Sequence, residues 1–156
     1  MRIIAGRWRG HPLKAPAGRK TRPTPDRVRE AWMSALQPWI PDATVLDLFA
    51  GSGALGLEAL SRGASHATFV ELASRSVKAL HENVDLLDAG ADVTVRRGDA
   101  LRFAQHLAPG QFDLAFADPP YRLGLADRIA DLWTTAPFAR VLGIEHEKGV
   151  TLPGER

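Results

Sequence analysis

The chain has 156 residues, enough for one domain with a sizeable apolar core. It is 45% hydrophobic and 24% charged, and it contains no cysteine, which excludes a disulfide framework and a thiolate zinc site. The five histidines show no spacing typical of metal ligands. Because no apolar run approaches membrane-spanning length and no signal-peptide core is present, we expect a cytoplasmic protein that binds neither a metal nor a membrane.

Positive charge is concentrated near the N-terminus. Residues 1–30 hold nine Lys/Arg and two acids, a net +7, whereas the other 126 residues hold eleven Lys/Arg and sixteen acids, a net −5. A polyanion would therefore meet this segment, with an affinity that falls as salt rises. Trp8 and Leu13 among the glycines favour a short hairpin over a solvated tail. The predicted RNA-binding side chains are Arg2, Arg7, Arg9, Lys14, Arg19, Lys20, Arg22 and Arg27.

A helix is predicted to follow this basic segment. Thr24 suits the N-cap, Pro25 the first helical position and Asp26 the positive end of the helix dipole. Pro38 and Pro41 end the helix. Apolar residues recur at helical spacing and predict one buried face, made of Val28, Ala31, Trp32, Ala35 and Leu36. We therefore divide the chain into a basic N-terminal hairpin or arm, 1–24, and a main domain, 25–156.

From Thr44 onward, predicted strands and helices alternate. The predicted strands are 45–50, 67–70, 93–96, 112–117 and 140–145, and the predicted helices between them are 54–61, 74–87, 101–107 and 125–133. This alternation predicts an α/β fold with a Rossmann-like, doubly wound and mainly parallel sheet. Ligands in such a fold bind beyond the carboxyl ends of the strands, near the point where the strand order reverses.

Acidic residues and a glycine turn follow the first three strands. Asp47 lies inside the strand before the turn, where it could hold an ammonium group, and Glu71 is placed to accept hydrogen bonds from ribose hydroxyls. Asp99 could contact an adenine amine, although alone it would more simply cap a helix. Together these signals indicate a pocket for S-adenosylmethionine. The predicted donor-binding residues are Asp47, Gly51, Gly53, Glu71, Asp99, Ala100 and Asp118.

The motif Asp118-Pro119-Pro120-Tyr121 follows the fourth strand. The acid and nearby carbonyls can accept hydrogen bonds from a planar exocyclic amine, and the ring can stack on the base that bears it. The prolines restrict the backbone that aims these groups. The motif therefore predicts a catalytic site for methylating a nucleobase amine, and a structural strand-to-loop turn is the alternative.

These stretches resemble the class I, Rossmann-like methyltransferases, and within them the bacterial family that methylates N2 of guanine 966 in 16S ribosomal RNA. Many methyltransferases share the glycine loop, and the amine-methylating ones share Asp-Pro-Pro-Tyr. The Thr-Arg-Pro-Thr segment, 21–24, together with the basic start, points to this family. The matching stretches are 2–6, 21–30, 45–64 and 118–121.

The resemblance implies that S-adenosylmethionine is the methyl donor and that 16S ribosomal RNA, free or in the assembling 30S subunit, is the substrate of a monomeric enzyme. The guanine would be flipped out. Tyr121 would then stack on the base, while Asp118 and the Pro119 carbonyl hold the N2 hydrogens.

Two alternatives remain open. One is a methyltransferase for adenine N6 or a protein glutamine amide, since such enzymes carry Asn- or Asp-Pro-Pro-Tyr. The other is a catalytically silent RNA-binding homologue. After residues 140–147, members of the family that this chain resembles continue through a further strand pair, which we expect to be absent here. We therefore expect a shortened C-terminus and an exposed edge on the fifth strand.

Overall fold

The computed structural model describes residues 1–16, 26–120, 124–146 and 149–151. The strands are β1 Thr44–Leu48, β2 His66–Glu71, β3 Val93–Arg97, β4 Phe112–Ala117, β5 Ala139–His146 and β6 Gly149–Thr151. The helices are α1 Asp26–Leu36, α2 Ala54–Ser61, α3 Ser74–Leu86, α4 Ala100–Gln105 and α5 Leu125–Thr135, and the 3-10 turns are Gln37–Trp39 and Gly90–Asp92. Strands and helices therefore alternate as predicted.

The six strands form one sheet in the order β3-β2-β1-β4-β5-β6. The first five are parallel, and β6 pairs with β5 in the antiparallel direction. The chain runs outward from β1 to β3 and then returns to β4 on the other side of β1. The doubly wound Rossmann-like fold is confirmed, and its switch point lies between β1 and β4.

Alternate residues of each strand supply the two layers of the core. On one face, Val45, Phe69 and Phe116 pack with α1, α2 and α3, and the Trp32 ring stacks on Phe116 with centroids 5.9 Å apart. On the other face, Leu46 packs with α4 and α5. Within the described ranges, no helix is both long and apolar enough to cross a bilayer.

Residues 1–16 form the predicted hairpin and pack against the main domain. Arg2 and Pro12 form an antiparallel bridge, and the Ile3 side chain is buried in the core beside α1 and α2. The backbone N–H groups of Arg7 and Trp8 donate to the carbonyl and hydroxyl oxygens of Ser61 at 2.9 and 3.0 Å. The hairpin is therefore attached to the C-terminal end of α2.

The buried face of α1 differs from the prediction. Ala31 and Ala35 are exposed, and Arg29 lies fully buried in the same helix. The buried residues of α1 still recur at helical spacing, but the buried face is rotated from the one that the apolar residues predicted. It consists of Arg29, Trp32, Met33 and Leu36. A charged residue entered this face because α2 offers it a carboxylate. Thr24 and Pro25, the predicted helix start, lie outside the described residues.

That carboxylate belongs to Glu58, which is completely buried. Its two oxygens accept the N–H groups of Ile4 and Ala5 at 2.9 and 3.0 Å. The same carboxylate pairs with Arg29 at 3.6 Å and with Arg62 at 3.0 Å. Arg29 in turn donates to the carbonyl oxygen of Arg2. Glu58 therefore joins the hairpin, α1 and α2 through one buried side chain.

The expectation of an exposed edge on the fifth strand is wrong for its last residues. β6 pairs antiparallel with Ile144–His146. A three-residue strand has too few alternations to be recognised from hydrophobic periodicity. The predicted helix 101–107 is also displaced: it begins at Ala100, because Asp99 caps it, and ends at Gln105.

Candidate functional site

The carboxyl ends of four adjacent strands bring four acidic side chains to one edge of the sheet. Asp99 follows β3, Glu71 ends β2, Asp47 lies in β1 and Asp118 follows β4. Asp47, Glu71 and Asp118 are close enough for the carboxylates of the last two to raise the pKa of the first. The predicted acids therefore meet at the switch point, where a cationic ligand would offset their mutual repulsion.

The glycine turn after β1 has the backbone that the sequence predicted. Gly51 and Gly53 adopt φ values of 59° and 90°, in the region where a Cβ atom is strained. A Cβ on Gly53 would also lie 2.4 Å from Leu80 Cδ1. Phe49, which precedes the turn, has φ 59° although it is not glycine. The turn therefore presents its backbone closely to anything bound in front of it.

Asp47 lies beneath this turn. It is 1% exposed, and its Oδ2 accepts the N–H of Gly56 at 3.0 Å. Burial raises the pKa of Asp47 well above its usual range, and Asp118 and Glu71 raise it further against the lowering effect of the Gly56 N–H. An ammonium group nearby would reverse this shift, so the ionised form of Asp47 is best satisfied by a cation.

We expect Asp47→Asn to weaken donor binding about tenfold to a hundredfold, because a charged hydrogen-bond acceptor is lost. The same substitution should stabilise the unliganded fold at neutral pH. Because the pKa of Asp47 is raised in the folded state, the wild-type carboxyl contributes fully to the free energy of unfolding below the unfolded pKa of about 3.9. That contribution is lost as pH rises through the folded pKa, and the variant should gain stability relative to wild type over the same range. Urea unfolding across pH, with calorimetry of donor binding, measures both effects; equal stability of wild type and variant at every pH would contradict the burial argument.

Glu71 holds the glycine turn against the end of β2. One carboxylate oxygen accepts the N–H of Gly51 at 2.7 Å, and the other accepts those of Leu72 and Ala73 at 2.9 and 2.8 Å. A carboxylate has about four acceptor positions, so three backbone donors still leave room for a ligand hydroxyl. Glu71 therefore fixes the turn and keeps acceptor capacity facing the cavity that it lines.

A cavity of about 710 Å³ lies beside these acids. Its volume falls within the range of pockets that hold small ligands. Asp99 accepts the N–H of Arg102 at 3.0 Å and thus caps α4, as a lone acid was expected to do, and it lines the cavity as well. The lining comprises Phe49, Val70, Glu71, Leu72, Ala73, Gly98, Asp99, Ala100, Leu101, Arg102, Gln105, Pro120, Leu125 and Arg128.

The motif that begins at Asp118 reaches the same cavity through Pro120. Asp118 is half-buried, Pro119 is buried, and Pro120 is exposed and contributes to the lining. Tyr121 lies outside the described residues, so its stacking on a base stays a prediction. The described part of the motif therefore reaches the cavity from the β4 side, opposite Asp99.

The predicted RNA-binding residues that the structure describes lie in the hairpin, apart from Arg27 in α1. Arg7 lies over the Trp8 ring at 4.1 Å and pairs with Asp92, which precedes β3, at 3.4 Å. This end of the hairpin is therefore near the amino ends of the strands, away from the cavity. Lys14 pairs with Glu82 at 2.9 Å. Arg2, Arg9 and Arg27 are exposed, and Arg19, Lys20 and Arg22 lie outside the described residues.

Sequence reasoning missed several residues of the site. Phe49 and Leu72 line the cavity directly after β1 and β2, and their position beyond a strand end is the signal that could have identified them. Arg102 and Arg128 line it from helices, where exposed arginines carry no distinctive sequence signal. In the part of the chain that the structure describes, no three His, Asp or Glu side chains could hold a metal ion.

Known proteins resemble this chain over most of its length. The family model Conserved hypothetical protein 95 matches residues 1–153. Ribosomal RNA small subunit methyltransferase D of Escherichia coli K12 is 46% identical over 85% of this chain and 66% of its own length. YlbH of Bacillus subtilis 168, provisionally named as an rRNA methyltransferase, is 38% identical over 98% of this chain and 86% of its own. The chain thus spans just under two thirds of the Escherichia coli relative.

A solved structure agrees with these matches. The Escherichia coli protein provisionally named methyltransferase yhhF superposes with a TM-score of 0.82 at 40% identity, over 99% of this chain and 85% of that one. The identity is high enough to support the family as well as the fold. The chain belongs to the Conserved hypothetical protein 95 family and, among the Rossmann-like methyltransferases, to the group of ribosomal RNA small subunit methyltransferase D.

Proposed function

We propose that this protein transfers a methyl group from S-adenosylmethionine to the exocyclic N2 amine of a guanine in 16S ribosomal RNA. The main support is the convergence of four acids and a glycine turn on the switch point, with Pro120, two residues after Asp118, in the lining of the same cavity. The rRNA methyltransferase names of its relatives support the substrate class. A binding protein alone would not need an amine-holding motif beside a donor pocket.

The described residues fit the methyl donor. S-adenosylmethionine supplies an electrophilic methyl group and carries an ammonium group, ribose hydroxyls and an adenine amine. Asp47, under the turn, would balance the ammonium charge, and Glu71 would accept from the ribose. Asp99 and the backbone at Ala100 would contact the adenine. Gly51 and Gly53 would let the turn approach the donor closely, since neither has a Cβ atom.

The acceptor half of the site would act by orientation. A stacked guanine cannot reach a pocket at the sheet edge, so the base would be flipped out of the RNA. Asp118 and the Pro119 carbonyl would accept the two N2 hydrogens, which points the nitrogen lone pair at the methyl carbon. The amine becomes acidic as the new N–C bond forms, and Asp118 would then accept the released proton.

Guanine is preferred here over the other amines that Asp-Pro-Pro-Tyr enzymes methylate. The relatives named after their substrate act on small-subunit rRNA, and the basic N-terminal segment suits a polyanion. A glutamine side chain on a protein would not require nine Lys/Arg within thirty residues.

The decisive experiment incubates the protein with labelled donor and either 16S rRNA or 30S particles from a strain that lacks this methylation. We expect label on one guanine, mapped by reverse-transcription stops and by nucleoside mass spectrometry as N2-methylguanosine. Label on adenine N6 or on protein would replace the proposal with one of the other amine methyltransferases. Donor binding without transfer to either RNA substrate would identify a catalytically silent homologue.

A further inference from the structure

A second cavity lies on the face of the sheet that α4 and α5 cover. It has a volume of about 630 Å³ and extends from the carboxyl end of β3 toward the amino end of β4. Thr68, Thr94 and Arg96 form its floor on β2 and β3, and His106 lines it just beyond α4. We call this cavity the β3 groove. Its floor is polar, unlike the centre of that sheet face, where Leu46, Leu48 and Ala115 are buried.

The β3 groove is positively charged. Arg96 and Arg102 both line it, and both are exposed. Among the described residues neither guanidinium forms an ion pair, whereas Arg7, Lys14, Arg29 and Arg62 all do. Asp99 is the one acid in the lining, and its Oδ1 is engaged by the backbone N–H of Arg102. Two guanidinium groups without an ion pair therefore face this groove, although residues 31–156 as a whole carry a net negative charge.

The groove adjoins the cavity of about 710 Å³ that Glu71 and Asp99 line, which we call the donor cavity. Gly98, Asp99 and Arg102 line both, so the two cavities share the first turn of α4 as a wall. β3 is three strands from β4 in the sheet, which corresponds to about 14 Å between Arg96 and the Asp118 motif. An RNA strand that delivers a base at Asp118 would cover this distance within a few nucleotides.

We propose that the β3 groove binds the phosphate backbone of the RNA strand that flanks the methylated base, with Arg96 and Arg102 as the phosphate contacts. This proposal rests on the proposed function. Guanidinium groups suit phosphate because they donate two parallel hydrogen bonds. Thr68 and Thr94 make the same floor polar, although Thr68 is buried and the Thr94 hydroxyl is hydrogen-bonded to the His66 ring at 2.9 Å, so the arginines carry the phosphate contact.

The location of Arg7 separates that residue from the target base. Arg7 is held near the amino ends of the strands by Asp92 and Ser61, on the opposite edge of the sheet from the donor cavity. It cannot also hold the RNA next to the target base. The β3 groove lies on the correct edge and provides charge there, so it complements the hairpin.

The test compares Arg96→Gln with Arg140→Gln in the otherwise unchanged protein. Arg140 is a matched control, since it is also an exposed strand arginine, but it lies on β5, away from the groove. Binding of an unmodified 16S rRNA transcript is measured by fluorescence anisotropy from low to moderate salt. Arg96→Gln should weaken binding about fivefold to tenfold and reduce the slope of log affinity against log salt by about 0.7 to 0.9.

Donor affinity, measured by calorimetry, should stay within about twofold of wild type in both variants, since Arg96 does not line the donor cavity. Arg140→Gln should leave the salt slope unchanged. The same slope in Arg96→Gln, Arg140→Gln and wild type would overturn the proposal. A different result would contradict the proposed function: a wild-type protein that binds the donor but methylates no RNA. That result does not depend on the salt slopes of the variants.

Discussion

The Asp118→Ala variant is expected to lose methyl transfer by about a hundredfold to a thousandfold while it still binds the donor. Its carboxylate would orient the amine only at the reacting centre, and removal of one such positioning group typically costs this much rate. Asp118 lies after β4, outside the set of residues that line the donor cavity. Single-turnover assays with labelled donor measure the rate, and calorimetry measures donor binding.

Two further variants sharpen this prediction. Asp118→Asn keeps a carbonyl oxygen that can accept from the amine, so it should retain part of the lost rate if orientation dominates over proton removal. Asp131→Ala removes an exposed carboxylate from α5 and should leave the rate unchanged. An equal loss of donor affinity and rate in Asp118→Ala would show that Asp118 belongs to the donor site instead.

The Glu58→Ala variant is expected to lose about 3 to 5 kcal/mol of unfolding free energy, because it breaks the buried ion pair between Glu58 and Arg29. The backbone N–H groups of Ile4 and Ala5 lose their acceptor at the same time. Such a loss is a large fraction of the stability of a domain of this size. Urea denaturation followed by tryptophan fluorescence measures the change.

Glu82→Ala is the matched control for that experiment. Glu82 also pairs with a cation, Lys14, but the pair is exposed, so its removal should leave the unfolding midpoint nearly unchanged. Similar midpoints for Glu58→Ala and wild type would mean that the buried carboxylate contributes nothing to hairpin attachment. The unfolding midpoint of Glu58→Gln should lie between those of Glu58→Ala and wild type, since an amide oxygen can still accept one backbone N–H.

Much of the fold follows from local patterns in the sequence. The strands are apolar runs bounded by glycines and acids, and their right-handed connections leave few possible strand orders. The meeting of the four acids at one edge was predictable for the same reason, because residues after parallel strands lie at the same end of the sheet. Asp99 shows how two interpretations can both hold: it caps α4 and lines the cavity.

The features that sequence reasoning missed depend on contacts between distant segments. Arg29 is buried beside Glu58, which faces it from another helix, and no pattern within α1 records that partner. β6 exists through pairing with β5, which three residues cannot signal by themselves. The position of Arg7 near Asp92, far from the donor cavity, likewise depends on how the hairpin packs against α2.

The fully buried side chain of Asn83, on α3, links the hairpin to the glycine turn. Its amide accepts the N–H of Lys14 at 2.8 Å and donates to the carbonyls of Lys14 and Ser52 at 2.9 and 3.0 Å. Donor binding that tightens the glycine turn would therefore also fix the position of Lys14, from which the chain continues toward the Thr-Arg-Pro-Thr segment. Since such coupling is reciprocal, a donor that fixes this point would raise the affinity for RNA, and RNA would raise the affinity for the donor by the same factor.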